Sequence, residues 1–252
     1  MYKIKNILKD TFKYIFQRVT WILKFLFPQE LKIERLQIAI PYLDAPLRLV
    51  QISDIHYDHE PIRIDDAFLS KVIEAVNNQN PDLIVITGDL VQFKPEPIDN
   101  LISKHLSKLK AKIGIYSILG NHDYKTTHGP ETIMTALKNS GIKVLHNETA
   151  YPMGKEEGRL QLVGLGDYGR KRVNFRLDMV RDDLAEERRA RVVLSHNPDS
   201  AFDLEPYPID LVLSGHTHGG GLATHPPLRL FCDPEITVID LIPKSIDNNS
   251  TN

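Results

Sequence analysis

Five apolar runs in this chain stop on a serine or a glycine and then present an acid, an amide or an imidazole. Ser53 precedes Asp54, Gly88 precedes Asp89, Gly120 precedes Asn121, Ser195 precedes His196, and Gly215 precedes His216. Each run has the length of a buried strand. A small residue at its end lets neighbouring backbones close up without interference from a Cβ. Two turns add a second side chain two residues on, His56 after Asp54 and His218 after His216. That spacing places both side chains on one side of an extended or turning backbone. Open α/β sheets hold their ligands outside the carboxyl ends of their strands. Five such ends therefore imply one shared pocket, and a fold that brings distant strand ends together.

The rest of the chain fits that requirement. Strands are expected at Leu31–Ile40, Leu47–Ser53, Leu83–Thr87 and Ile113–Leu119, with helices near Asp65–Asn78, Ile98–Lys110 and Pro130–Asn139. Later come strands at Ile142–Leu145, Leu160–Leu165, Val192–Ser195 and Ile209–Ser214, and one charged helix near Leu177–Arg189. Leu228–Cys232 and Ile236–Ile242 read as a closing hairpin around Asp233-Pro234. Alternating elements early and strands later predict mixed sheets inside one α/β domain over residues 31–246. A polar tail, 247–252, follows.

Residues 1–28 have a different character. Six basic residues (Lys3, Lys5, Lys9, Lys13, Arg18 and Lys24) stand against Asp10, a net charge of +5. Ile4, Leu8, Phe12, Ile15, Val19, Ile22 and Leu26 recur at helical spacing and make one apolar face, with Trp21, Phe25 and Phe27 beside it. Arg18 and Lys24 interrupt any run of the ~20 apolar residues that a bilayer span needs. A small-residue cleavage site and a twin arginine are both lacking, which argues against a cleaved export signal. The expectation is a basic amphipathic helix lying on an anionic membrane surface through residues 1–27, at the cytoplasmic face. A helix packed on the domain itself is the alternative. The lone Cys232 excludes an intrachain disulfide and fits a reducing compartment. With a net charge of −2 overall, nothing points to nucleic acid.

The pocket's chemistry can be counted. Asp54, His56, Asp89, Asn121, His196, His216 and His218 offer two carboxylates, one amide oxygen and four imidazoles, with no thiolate. Without ions, such groups clustered at buried strand ends would cost several kcal/mol. Mixed oxygen and nitrogen donors suit Mn²⁺, Fe or Zn²⁺, and the lack of cysteine argues against a structural zinc. Seven donors exceed one tetrahedral shell, so two divalent ions sharing a bridging carboxylate are expected, able to clamp phosphate oxygens. His122 and Asp123 remain outside the ligand set. Asp123 is expected to orient the imidazole of His122, which would then serve as general acid or as a cation on the transition state.

These five blocks resemble the calcineurin-like metallophosphoesterase superfamily: Asp54-Ile55-His56, Gly88-Asp89, Gly120-Asn121-His122-Asp123, His196 and Gly215-His216-Thr217-His218, in family order. The resemblance covers about residues 47 to 242 and implies a four-layer α/β/β/α sandwich of two mixed sheets. It implies a first ion held by Asp54, His56, Asp89 and His218, and a second by Asp89, Asn121, His196 and His216. His122 would then face the phosphate. More narrowly, the chain looks like the bacterial membrane-associated phosphodiesterase branch, some of whose members cleave the pyrophosphate of UDP-2,3-diacylglucosamine in lipid A synthesis. Leu228-Arg229-Leu230-Phe231-Cys232 resembles that branch's closing strands, although only Gly219 to Pro227 intervenes where the branch has a longer segment. The implied activity is dimetal-dependent cleavage of a phosphodiester or pyrophosphate, with Mn²⁺ the first choice of ion. A phosphoprotein or nucleotide phosphatase and a non-catalytic binding scaffold are the alternatives.

Outside the blocks, His59, His105, His128, His146 and His225 read as surface or loop residues, with a place on the pocket rim as the alternative for His59 and His128. Asp167, after Gly166, repeats the small-then-acid construction and is either a sixth contribution or a plain turn. Arg170-Lys171-Arg172 reads as a solvated basic loop, with a receiver of phosphate or anionic lipid as the alternative.

Overall fold

The computed structural model describes residues 31–58, 64–125, 128–156, 159–169, 173–186, 189–217 and 235–244. The expected helix of 1–28, the strand Leu228–Cys232, the tail, His59, His218, His225 and Arg170–Arg172 lie outside the described residues. The architecture below is that of residues 32–252, which form a compact unit of their own.

Among the described residues, ten strands make two sheets. The larger runs β1-β10-β2-β3-β4-β5, from β1 (Ile33–Ile40), β10 (Glu235–Pro243), β2 (Leu47–Ser53), β3 (Leu83–Thr87), β4 (Gly114–Ile118) and β5 (Lys143–Val144). The smaller runs β6-β7-β8-β9, from β6 (Glu148–Ala150), β7 (Gln161–Gly164), β8 (Arg191–Leu194) and β9 (Leu211–Leu213). Strands β2 to β5 are parallel, as are β7 to β9. The helices α1 (Asp66–Asn77), α2 (Ile98–Lys104) and α3 (Gly129–Asn139) connect the parallel strands of the larger sheet, the usual crossover of a βαβ unit.

Strand alternation sorts the core into layers. Leu49, Leu83, Val85, Tyr116 and Ile118 from the larger sheet share one buried cluster with Leu162, Val192, Leu194 and Leu213 from the smaller. The two sheets thus pack face to face. Val163 and Val193, one position out of phase, instead join Leu184 and Leu204 from the short helices α4 (Arg181–Ala185) and α5 (Ala201–Leu204). On α1, Phe68, Leu69, Val72, Ile73 and Val76 make a buried helical stripe, and Asp65 caps it by accepting from the Phe68 amide at 2.7 Å. The result is two mixed sheets between helices, as the resemblance implied.

Several expectations differ in detail. Strand β10 is no hairpin arm: it pairs in parallel with β1 from Ile236 to Pro243 and antiparallel with β2 from Glu235 to Leu241, so both its edges are taken. The helix expected to reach Lys110 stops at Lys104, where His105 turns its buried ring to Asp66 at 3.0 Å, and a single 3₁₀ turn, Leu106–Lys108, follows. The charged helix near 177–189 contracts to a 3₁₀ turn, Leu177–Met179, and to α4. Too few of its residues can be buried to hold it together. Strand β6 and helix α5 have no counterpart among the expected elements. No helix among the described residues is long and apolar enough to cross a membrane.

Candidate metal centre

The side chains singled out by the strand-end pattern arrive from both sheets. Asp54, Asp89 and Asn121 follow β2, β3 and β4; His196 and His216 follow β8 and β9. Pairing continues past the strands, with amides of Asp54, His56 and Tyr57 donating to the carbonyls of Gly88, Asp89 and Leu90 at 2.9–3.2 Å. The backbone then leaves the β region. Asp54, His56, Asp89 and His216 have φ of 55°, 46°, 53° and 70°. Asp, Asn and His tolerate this left-handed region better than most residues, yet each costs of order 1–3 kcal/mol. Four strained residues at one site indicate that the surroundings are built to aim them.

Close approach explains the glycines. A Cβ on Gly88, itself at φ +100°, would lie 2.5 Å from the Gly120 nitrogen and 2.8 Å from His196 Nδ1. One on Gly215 would run into Ser53 Oγ and come within 2.7 Å of Asp54 Oδ2. Only hydrogen fits there. Gln51, a polar residue at an inward position of β2, also ties the ends together. Its Nε2 donates to Thr87 Oγ1 and to the Ser214 carbonyl, both at 2.8 Å.

The donors converge in two groups that share one carboxylate. His56, Asp89 and His122 each offer a ligand atom within 4.8 Å of the others, and so do Asp54, Asp89 and His196. Asp54, His56, Asp89 and His196 are at most 1% exposed. Asp89 Oδ2 lies 3.4 Å from His56 Nε2 and 3.3 Å from His196 Nε2. Asn121 Oδ1 lies 3.1 Å from His196 Nε2 and 2.8 Å from His216 Nδ1. The His216 amide donates to the Asp54 carboxylate at 3.1 Å, and the His122 amide to Asp89 Oδ1 at 2.8 Å. His196 Nδ1 donates to the Thr87 carbonyl at 2.8 Å, which leaves Nε2 facing Asp89. Burial works against a charge on His196, but the hydrogen bond to Asp89 and its charge outweigh it and raise its pKa to about 9. A cation in the pocket would replace that proton. Buried carboxylates and imidazoles, hard oxygen with borderline nitrogen and no sulfur, fit a pair of divalent ions.

His122 is placed beside this centre, its ring 4.5 Å from that of His56. The orienting group is not Asp123, as expected, but the Gln92 carbonyl, 2.9 Å from His122 Nδ1. Asp123 faces the other way. Its carboxylate accepts from the amides of Gly120 at 2.9 Å, Val91 at 3.1 Å and Leu90 at 3.3 Å, pinning the turns that follow β3 and β4. Burial and then the nearby Asp89 charge raise its pKa, with the Gly120 and Val91 amides pulling the other way. With Nδ1 given to a carbonyl, His122 Nε2 keeps the lone pair. Burial is the main reason the pKa of His122 falls to about 4, so its imidazole is neutral near pH 7 in this form.

Lys125 escaped the sequence pattern, whereas Asp167 was read as either a sixth contribution or a plain turn. Lys125 Nζ sits 2.7 Å from His122 Nδ1 and 3.2 Å from Nε2, and 4.6 Å from the centroid of the exposed Phe93 ring. Asp167 is buried after β7, and burial raises its pKa, while the charges of His196 and His216 lower it. Of the histidines read as bland, His105 is buried against Asp66, and His146 Nδ1 meets Tyr124 Oη at 3.0 Å.

Comparison with known proteins follows the same residues. The family model described as calcineurin-like phosphoesterase matches residues 47–220. The chain is 34% identical over 192 residues to an uncharacterised metallophosphoesterase of Campylobacter jejuni, of which it spans 48% of the length and which covers 75% of the chain. It is 31% identical to the UDP-2,3-diacylglucosamine pyrophosphatase LpxG of Chlamydia muridarum, with 80% of the chain and 73% of that protein aligned. It is 29% identical to the phosphodiesterase YaeI of Escherichia coli, over 79% of the chain and 83% of that protein. The matched span contains every strand end that feeds the centre and strands β2 to β9, and on that ground the chain belongs to the calcineurin-like phosphoesterase family, whose centres are dimetal-dependent.

Proposed function

We propose that the chain is a dimetal phosphohydrolase that cleaves a phosphodiester or pyrophosphate bond in a membrane-associated substrate such as a lipid-linked nucleotide. The observation that carries this is the pair of donor groups sharing Asp89, one completed by His56 and His122 and the other by Asp54 and His196. Asp54, His56 and Asp89, with His218, would hold one ion; Asp89, Asn121, His196 and His216 would hold the other. Mn²⁺ suits these donors, with Fe or Zn²⁺ as alternatives. When bound, such a pair supplies Lewis-acid neutralisation of phosphoryl oxygens and lowers the pKa of an attacking water.

The chain's own residues set what happens around it. Gln92 fixes the His122 tautomer so that Nε2 is the atom able to hold a proton at the leaving oxygen. An incoming phosphate raises the pKa of that imidazole from its low resting value, because the added negative charge favours the cation. Asp123 keeps Gly120 and the start of the Asn121–Asp123 turn fixed, so Asn121 and His122 stay in register with Asp89.

Support for a membrane-resident substrate comes from the +5 charge and apolar stripe of residues 1–27 and from the LpxG relative's substrate. The helix would hold the protein at the cytoplasmic face of an anionic membrane. The test is turnover of bis(p-nitrophenyl) phosphate with Mn²⁺, then mass spectrometry of products from a panel including UDP-diacylglucosamine. Metal-dependent turnover lost in His122→Ala is expected; a metal-loaded chain with no turnover would make the protein a binding scaffold instead.

A further inference from the structure

The family's donor blocks account for the reacting phosphate, but not for what lies next to His122. Lys125 closes the turn that begins at Asn121, its amide donating to the His122 carbonyl at 3.2 Å. Its stem carries Nζ back over the His122 ring, 2.7 Å from Nδ1 and 3.2 Å from Nε2. Because Nδ1 gives its proton to Gln92, Nε2 is the ring nitrogen left to accept from the ammonium. The Phe93 ring lies 4.6 Å beneath Nζ, and Phe93 directly follows Gln92. The same short segment thus positions both the imidazole and the cation. A lysine is normally a mobile point charge with much rotamer freedom to lose. Contact with an aromatic face and an imidazole reduces that loss before any ligand arrives.

We propose that Lys125, seated on Phe93, takes the second phosphate of a diphosphate-containing substrate and so makes the site prefer a pyrophosphate to a simple phosphodiester. His122 offers a ligand atom within 4.8 Å of His56 and Asp89, so a phosphate lodged against those groups is in reach of His122. The next phosphate along the chain then meets Lys125, one hydrogen-bond length beyond the imidazole. A simple phosphodiester has no second phosphate to offer there. The exposed Phe93 face borders the same position, leaving room on the solvent side for whatever group follows the second phosphate. This inference rests on the dimetal reading above and adds the substrate's chemical class.

Calorimetric titration of UDP and UMP into the full chain loaded with Mn²⁺, at fixed free Mn²⁺, isolates the second phosphate, since the two ligands differ only there. The wild type should prefer UDP. Lys125→Ala and Lys125→Gln should each cut the ratio of UDP to UMP affinity by ~10-fold, as expected for a lost hydrogen bond to a charged group. Lys125→Arg should keep the ratio within ~3-fold because the charge remains. Mn²⁺ per chain should be the same in all four proteins. Equal weakening of UDP and UMP would place Lys125 on the reacting phosphate and overturn the proposal, as would an unchanged ratio in the alanine and glutamine variants. A wild type that takes up two Mn²⁺ and binds neither nucleotide would overturn the dimetal phosphohydrolase reading itself, and the assignment of Lys125 with it.

Discussion

At the amino ends of the large sheet, Arg48 on β2 meets Asp240 directly across on β10 at 2.7 Å, and Lys112 before β4 meets Asp82 before β3 at 2.7 Å. At the carboxyl ends of the same strands, Asp54 and Asp89 meet imidazoles and amides instead, and are almost wholly buried. The amino-end pairs are cation with anion, and Arg48 and Asp240 are each about 40% exposed. Charges that close on one another in water cost and contribute little. Carboxylates gathered with histidines out of water are expensive until a cation arrives. One end of the sheet is therefore complete as folded, and the other is completed by what it binds.

Replacing the shared carboxylate should break this contrast most severely. Asp89→Ala should lower turnover by ~10⁴-fold or more, since it removes the one group common to both donor sets. Metal analysis should give close to zero ions per chain, against close to one for His56→Ala. Equal partial losses in the two variants would remove Asp89 from its bridging place.

His122→Ala comes next, with a loss of about 10²–10⁴-fold in turnover and metal content intact. Leaving groups that need no proton should recover part of the loss. A uniform defect across leaving groups of different pKa would assign the imidazole to electrostatic stabilisation alone.

Steric tests sharpen the comparison without touching a ligand. Gly88→Ala should destabilise the protein by about 1–3 kcal/mol, read as a lowered Tm, and should reduce metal content as well. The added methyl pushes on Gly120 and His196 together. At the opposite end, Arg48→Ala should cost no more than about 1 kcal/mol and leave ion content and turnover unchanged. A large loss of metal in Arg48→Ala would mean that the two ends are not independent.

How much of this could be read from the chain depends on what kind of atom does the work. The candidate donors stood out because apolar strands ended repeatedly on Ser or Gly before a donor side chain. The boundaries of β2 and β3 follow directly from those runs. Gln92 was invisible, because its contribution to His122 is a carbonyl that any residue would carry. Asp123 misled because adjacency in sequence says nothing of direction; a turn of the backbone sends its carboxylate to Gly120, Leu90 and Val91. The place of β10 between β1 and β2 is a long-range pairing that local pattern cannot specify. Lys125 and Phe93 lie 32 positions apart, and only the fold sets the ammonium over the ring. Gln51 did leave a trace, a lone amide at an inward position of an apolar strand.

The centre draws Asp54, Asp89 and Asn121 from one sheet and His196 and His216 from the other. Ions seated there would act as rivets across a seam. Their grip would resist any slide of the small sheet over the large one, and with it any opening between the layers. Catalytic readiness and mechanical cohesion would then be one property. A chain starved of metal would be looser at that seam as well as idle, and so an easier target for a protease than its loaded counterpart.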